Sequence, residues 1–381
     1  MVKNKLASLC YYSIFSELAV NLISIYIPII IYNNFNKVSY AILYVFIAFF
    51  VQAIFNILFR KFLCSHATLC LLIRIVPVVG INLLINISIL SPLFSVIVFG
   101  VCGAFVEALY NVPIAKILSD CIDGKEGKSV GYFKTSIVVG KIVAPIVGGY
   151  VLTTLKNVVL NIICIAIYLV GFVFLIMCAR HIKTSKIENS NTVYRNNKTY
   201  KSLYLKEYLK LFIINFAIGI TAFGDKVLPL FAVIENLQMQ SIGFVVAIFN
   251  FCDLVSNYVA GRISDLKVGY IISIVACFIY AVVWATVPLT NAVMLFVLSG
   301  VLGLCYPLFG VILQSRSLKQ GFLFSKQEQI LSMREFSQHL GASFIAVSSL
   351  CISNIGIVFY LIGISVLSIC ITLMANREFN L

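Results

Sequence analysis

Charge is what this chain has least of. Asp, Glu, Lys and Arg make up 11% of its 381 residues, against 61% for hydrophobic ones, and mean hydropathy is +1.04. Those values lie far outside the range of soluble domains and leave an integral membrane protein. Histidine is nearly missing, with three copies at no metal-ligand spacing, and none of the twelve cysteines forms a Cys-x-x-Cys pair, which excludes the common zinc and redox motifs. The cysteines fall in apolar runs or on the expected inner side, and read as small packing residues. A complete Gly-x4-Gly-Lys-Ser/Thr phosphate loop is also missing, so no ATPase of the chain's own and no cofactor are expected. The single tryptophan, Trp284, reads as an anchor at the membrane interface.

What is present is apolar length. Runs of about 20 apolar residues, enough to cross a hydrocarbon core of about 30 Å as a helix, predict twelve spans: 9–32, 40–59, 67–88, 92–115, 131–153, 158–179, 208–232, 240–260, 270–288, 292–313, 329–351 and 355–375. The runs are continuous rather than alternating, which excludes a transmembrane β-barrel and makes the expected fold all-α. The first run follows Lys3 and Lys5 but carries Glu17 and is too long for a secretory signal, so it is expected to be a retained first helix.

The longest polar stretch, 181–207, is basic and divides the spans into two six-helix halves, 1–180 and 208–381. With both termini cytoplasmic, 20 of the 28 Lys and Arg residues lie on the inner side, Lys37 and Lys156 outside, and six within spans. That asymmetry is the positive-inside rule of a multi-pass protein of the cell membrane. The net charge of +14 therefore follows from topology and does not call for nucleic acid. The other loops are short, so function is expected within the bilayer. Gly100-Val101-Cys102-Gly103 in span four recurs as Gly300-Val301-Leu302-Gly303 in span ten, 200 residues later, as duplicated transporter halves would have it.

Ionisable residues inside spans cost about 2.5 to 3.5 kcal/mol each on insertion scales unless paired or hydrated, and so mark function. The acids are Glu17, Glu107, Asp225, Asp253 and Glu335; the deep bases are Arg74, Lys134, Lys141, Lys226 and Arg334. At about 1.5 Å per residue, Glu17, Arg74 and Glu107 share one depth in the first half. They are expected to cluster, with Arg74 holding one carboxylate charged while the other exchanges protons. Lys141 and Asp253 share a depth near the midplane, and a Lys141 to Asp253 pair across the halves is expected. Asp225 and Lys226 are neighbours in sequence and diverge by about 100° on their helix, so the expectation is either that one of them faces the cavity or that both are hydrated at its mouth. His339 reads as a packing histidine.

Gly140, Ala144 and Gly148 fall four apart, a smooth helical stripe that lets a second helix pack closely, and Pro145 adds a weak point beside it. This stripe is expected to form the moving seam between the halves. The segment from Gly131 through Gly140, Ala144, Pro145, Gly148 and Gly149 resembles the fifth-helix motif of the drug/proton antiporters of the major facilitator superfamily, Gly-x8-Gly-x3-Gly-Pro-x2-Gly-Gly, with Ala144 replacing one glycine. Gly261-Arg262-Ile-Ser-Asp265-Leu-Lys267-Val-Gly269 is similar to the superfamily's loop signature, Gly-x3-Asp-Arg-x-Gly-Arg. The resemblance implies twelve helices in two rocking halves, Asp265 as a gate latch at a helix N-terminus, and a proton-carrying acid on the first or fourth helix, Glu17 or Glu107. The expected function is a secondary active transporter, not an enzyme. It would export a small amphipathic compound (a drug, antibiotic or secondary metabolite) in exchange for protons, as a monomer in the lipid bilayer. The alternatives are nutrient import on the same fold, favoured if Glu17 and Glu107 bind substrate, and a transport-inactive sensor, which dense buried charge disfavours.

Overall fold

A computed structural model describes residues 2–84, 91–121, 126–154, 157–188, 201–263, 266, 268–323, 327–352 and 355–375. Among the described residues there is no strand. The helices are α1 (Val2–Ser24), α2 (Ile27–Phe35), α3 (Val38–Leu58), α4 (Arg60–Ser65), α5 (Ala67–Ile73), α6 (Ile75–Leu84), α7 (Pro92–Cys121) and α8 (Glu126–Thr154), continuing with α9 (Asn157–Glu188), α10 (Lys201–Ile234), α11 (Met239–Ile263), α12 (Val268–Thr286), α13 (Ala292–Leu323), α14 (Gln327–Cys351) and α15 (Ile355–Ala375). Helix continues into the expected 181–207 linker from both ends, as α9 and α10; residues 189–200 lie outside the described residues.

Proline explains where two expected spans break. Pro28 has no N–H for the carbonyl of Ser24, and the chain turns at Ile25 and Tyr26 between α1 and α2. Pro77 leaves the carbonyl of Ile73 in the same position, and α5 gives way to α6 at Arg74. Ten helical stretches among the described residues have the length and hydropathy of a span. Arg334, Glu335, Gln338 and His339 interrupt the apolar sequence of α14, and the described apolar stretch of α15 is Gly356–Ile371. Both nevertheless pack into the bundle, α14 on α10 and α3, and α15 on α12 and α10. They complete the twelve-span, all-α arrangement.

Glycine sets the packing, and does so twice. On α8, a Cβ added at Gly140 or Gly148 would strike the carbonyl oxygen of Ile14 or Leu22 on α1; on α10 and α14, one added at Gly219 or Gly341 would strike that of Gln338 or Phe216. The Gly-Val-x-Gly repeat behaves likewise: Gly100 and Gly103 of α7 fit against Ile47 and Tyr44 of α3, and Gly303 of α13 against Phe249 of α11. Trp284 is no interfacial anchor. It is fully buried, stacked on Phe359 with ring centroids 5.7 Å apart, because Gly224 leaves room for its ring.

The first nine helices and the last six meet along two seams, α8 with α11 and α3 with α14. On the side of the 189–200 connection, here called the linker side, an apolar cluster joins Ile114, Phe133 and Ile137 to Ala260, Val311 and Leu331. On the opposite side α2 touches α10. Between these contacts lies the cavity.

Candidate functional site

The cavity has two lobes. The first, about 270 Å³, is walled by charge: Lys134 and Lys141 from α8, Asp225 from α10, Asp253 from α11, and Arg334 and Glu335 from α14. The second, about 240 Å³, shares Lys141, Asp225, Phe249, Asn250 and His339 with the first and adds Glu107, Gln52 and Lys226. Polar groups thus converge from both sets of helices on one space at the middle of the bundle.

Arg74 ties together α1, α5 and α7 behind the cavity. The break between α5 and α6 aims it inward, where it is completely buried. Its Nε donates to the carbonyl oxygen of Val106 at 2.8 Å, Nη1 to Ser16 Oγ at 2.6 Å and Nη2 to Glu17 Oε1 at 3.3 Å, while the guanidinium lies 4.0 Å over the Tyr110 ring. The other Glu17 oxygen accepts from Asn21 Nδ2 at 3.1 Å and faces Lys141 Nζ at 3.5 Å. One carboxylate therefore serves two cations. Of the expected Glu17, Arg74 and Glu107 cluster, only the first two meet; Glu107 has no ion pair among the described residues and faces the cavity instead. Arg334 and Glu335 pair, Nη2 to Oε1 at 2.5 Å, while Arg334 Nη1 has no hydrogen-bond partner among the described residues.

The orientation of α8 differs from the expected one. At about 100° per residue, Gly131, Pro145 and Gly149 share a face, and Gly140, Ala144 and Gly148 lie about 120° around the helix. The small-residue stripe faces α1, inside its own set of helices, and Ala144 is fully buried there. The seam contacts fall to the other face: a Cβ on Gly131 would lie 2.6 Å from Gly261 Cα, and one on Gly149 would lie 3.3 Å from the Met239 carbonyl oxygen, both across on α11. Lys141 sits on the border of the two faces. Because Gly140 draws α1 against α8, Lys141 pairs with Glu17 in this conformation, not with Asp253.

Asp253 is 8% exposed, and its Oδ1 has no hydrogen-bond partner among the described residues. Neither Asp253, Asp225 nor Lys134 makes an ion pair among the described residues, although all three line the cavity. Asp265 lies outside the described residues.

Pro145 acts through the carbonyl it frees. Having no N–H, it leaves the carbonyl of Lys141 without its helical donor, and Asn250 Nδ2 of α11 donates to that oxygen at 2.8 Å across the seam. Tyr26 Oη in turn donates to the carbonyl oxygen of Pro145 at 2.5 Å. Asn250→Leu is expected to leave that carbonyl buried and unpaired, lowering stability by about 1 to 3 kcal/mol, whereas in a Pro145→Ala background the restored amide takes over and the loss shrinks. Thermal unfolding of the two single variants and the double variant measures the difference. Sequence reasoning missed Asn250 and Gln52; the signal was an uncharged amide within a span.

A family model for the Major Facilitator Superfamily matches residues 9–326. The chain belongs to the major facilitator superfamily. Among solved structures, this facilitator is similar to the crystal structure of the human organic anion transporter MFSD10 (TETRAN). Identity is 10% and the TM-score 0.65 over 98% of this chain and 99% of that one, a likeness of fold. No curated protein matches the sequence. Major facilitators are membrane transporters rather than enzymes, and this one has the multi-pass fold of a secondary transporter, with its charged cavity between the two sets of helices.

Proposed function

We propose that this major facilitator exports a small amphipathic organic cation in exchange for protons, with Asp253, assisted by Asp225, holding proton and substrate in turn. The halves 1–180 and 208–381 rock about the α8–α11 and α3–α14 seams, in a cell membrane with both termini cytoplasmic. The observation that carries this reading is the Asp253 carboxyl, lining the cavity with one oxygen unpartnered among the described residues. A cavity-lining carboxyl with no cation paired to it among the described residues is suited to hold either a proton or a positive group on the substrate. A site that holds one or the other, but not both, couples the two flows. Glu17 suits this role poorly, since Arg74 and Lys141 already occupy it. Phe249, Tyr306 and Ile218 beside the charges give an amphipathic compound its apolar contact, and the antiporter-like Gly131 to Gly149 segment supports proton exchange.

In proteoliposomes with an internal pH-sensitive dye, adding (4-phenylbutyl)trimethylammonium is expected to drive proton movement through the wild type and none above background through Asp253→Asn. Equal proton movement in both would remove Asp253 from coupling. Because the charge on this probe is permanent, it cannot carry protons itself. A second reading is transport of an organic anion, as named for the MFSD10 structure. Lys134 favours it, lining the cavity without an ion pair among the described residues. Flux of 4-phenylbutane-1-sulfonate that is lost in Lys134→Met, with no flux of the ammonium probe, would select that reading.

A further inference from the structure

A third space opens off the second lobe. It is about 50 Å³, enough for the end of a short alkyl arm but well below the roughly 150 Å³ of an apolar cavity that takes an aromatic ring. Val20 and Ile23 of α1, Val45 of α3, and Val78 and Ile81 of α6 form its apolar walls. Ser24, Tyr44 and Asn82 add polar atoms to its lining, and four more of its walls, Phe49, Gln52, Glu107 and Lys226, are also walls of the second lobe, so the two spaces adjoin at a largely polar border. Gln52 sits at that border 1% exposed, and its Nε2 has no hydrogen-bond partner among the described residues. A buried amide donor without a partner is unfavourable and rare, and here it borders both the apolar recess and the charged cavity. Neither the Asp253 chemistry nor the seam uses this group.

We infer that this side chamber is a specificity subsite. It receives the apolar arm of the transported cation, and the Gln52 amide donates to an oxygen acceptor carried between arm and charged head. The inference rests on the proposed function for the head, which remains near Asp225 and Asp253. Substrates are then sorted by arm size at α1, α3 and α6 and by charge at α10 and α11, two choices made by different side chains.

Dissociation constants measured in lipid nanodiscs for heptyltrimethylammonium and butyltrimethylammonium test it. The heptyl compound is expected to bind the wild type about tenfold more tightly, since burying its terminal propyl group removes apolar surface from water. Ala48→Phe, at a residue lining the chamber, should fill it and bring that ratio to about one while leaving the butyl compound unaffected. Val45→Ala enlarges the chamber and should move the preference to a longer or branched alkyl end, which keeps the test valid if Ala48→Phe fails to fold. A ketone beside the terminal propyl group is expected to add about fivefold in the wild type, as one new hydrogen bond does, and nothing in Gln52→Leu. A heptyl-to-butyl ratio unchanged in both Ala48→Phe and Val45→Ala would overturn the chamber. If neither cation binds, the same comparison with heptane-1-sulfonate and butane-1-sulfonate separates the two failures. A heptyl advantage lost on filling would retain the chamber and discard the cation, and an advantage indifferent to filling would discard both.

Discussion

Glu17→Gln is expected to destabilise this protein by about 3 to 5 kcal/mol, the usual consequence of removing one partner from a buried ionic network. Arg74 is completely buried and Lys141 Nζ lies 3.5 Å from the same carboxylate. With the charge gone, both cations face each other in the bundle with nothing between them to balance them. Arg74 keeps the carbonyl oxygen of Val106, Ser16 Oγ and the Tyr110 ring, so removing the second cation as well, in Glu17→Gln/Lys141→Leu, should recover part of the loss. Asp253→Asn gives the contrast. It removes a carboxylate with no ion pair among the described residues, and should change stability by less than about 1 kcal/mol while abolishing proton coupling. Thermal unfolding in detergent separates the cases. Equal midpoints for wild type and Glu17→Gln would show that the Glu17 network does not hold the first half together.

Gly140→Val and Gly131→Val should fail in opposite ways although they lie on one helix. At Gly140 an added side chain strikes the Ile14 carbonyl oxygen, and α1 cannot retreat because it is also packed on α9 and α7. Overpacking of a site that cannot give costs about 3 kcal/mol or more, so most of the Gly140→Val protein should be lost as aggregate in size exclusion. At Gly131 the obstacle is Gly261 Cα, 2.6 Å from the added Cβ on the other side of the seam. There the two sets of helices can part. Gly131→Val should fold, stop transport, and raise amide hydrogen exchange at the linker-side ends of α8 and α11. A folded, seam-opened Gly140→Val beside an aggregated Gly131→Val would reverse the assignment of the two faces.

These contrasts locate the limit of sequence reasoning. Depth was legible, because rise per residue is constant along a helix. Matching depths brought Glu17 and Arg74 together correctly. Azimuth was not legible, because it depends on which neighbour a helix finds. Glu107 shares their depth yet faces the cavity, and Lys141 shares the depth of Asp253 yet sits on the border nearest Glu17. The Gly140, Ala144 and Gly148 stripe was recognisable as a packing surface, but nothing in its spacing says whether the helix it receives belongs to its own half or to the other. The repeat at Gly100 and Gly300 fared better, since duplication carries the packing partner along with the motif: α3 for one, α11 for the other.

By itself the sequence determined the class of this protein and the order of its spans. Hydropathy and charge are properties of each residue, they sum along the chain, and the bilayer imposes the same length on every segment. The tertiary structure alone decided which face of each helix meets which neighbour: that Trp284 is buried, that Asn250 caps the carbonyl freed by Pro145, and that Asp253 reaches the cavity with an oxygen unpartnered among the described residues. Those outcomes depend on rotations about helix axes, which close packing selects through contacts between residues more than a hundred positions apart, as between Lys141 and Asn250.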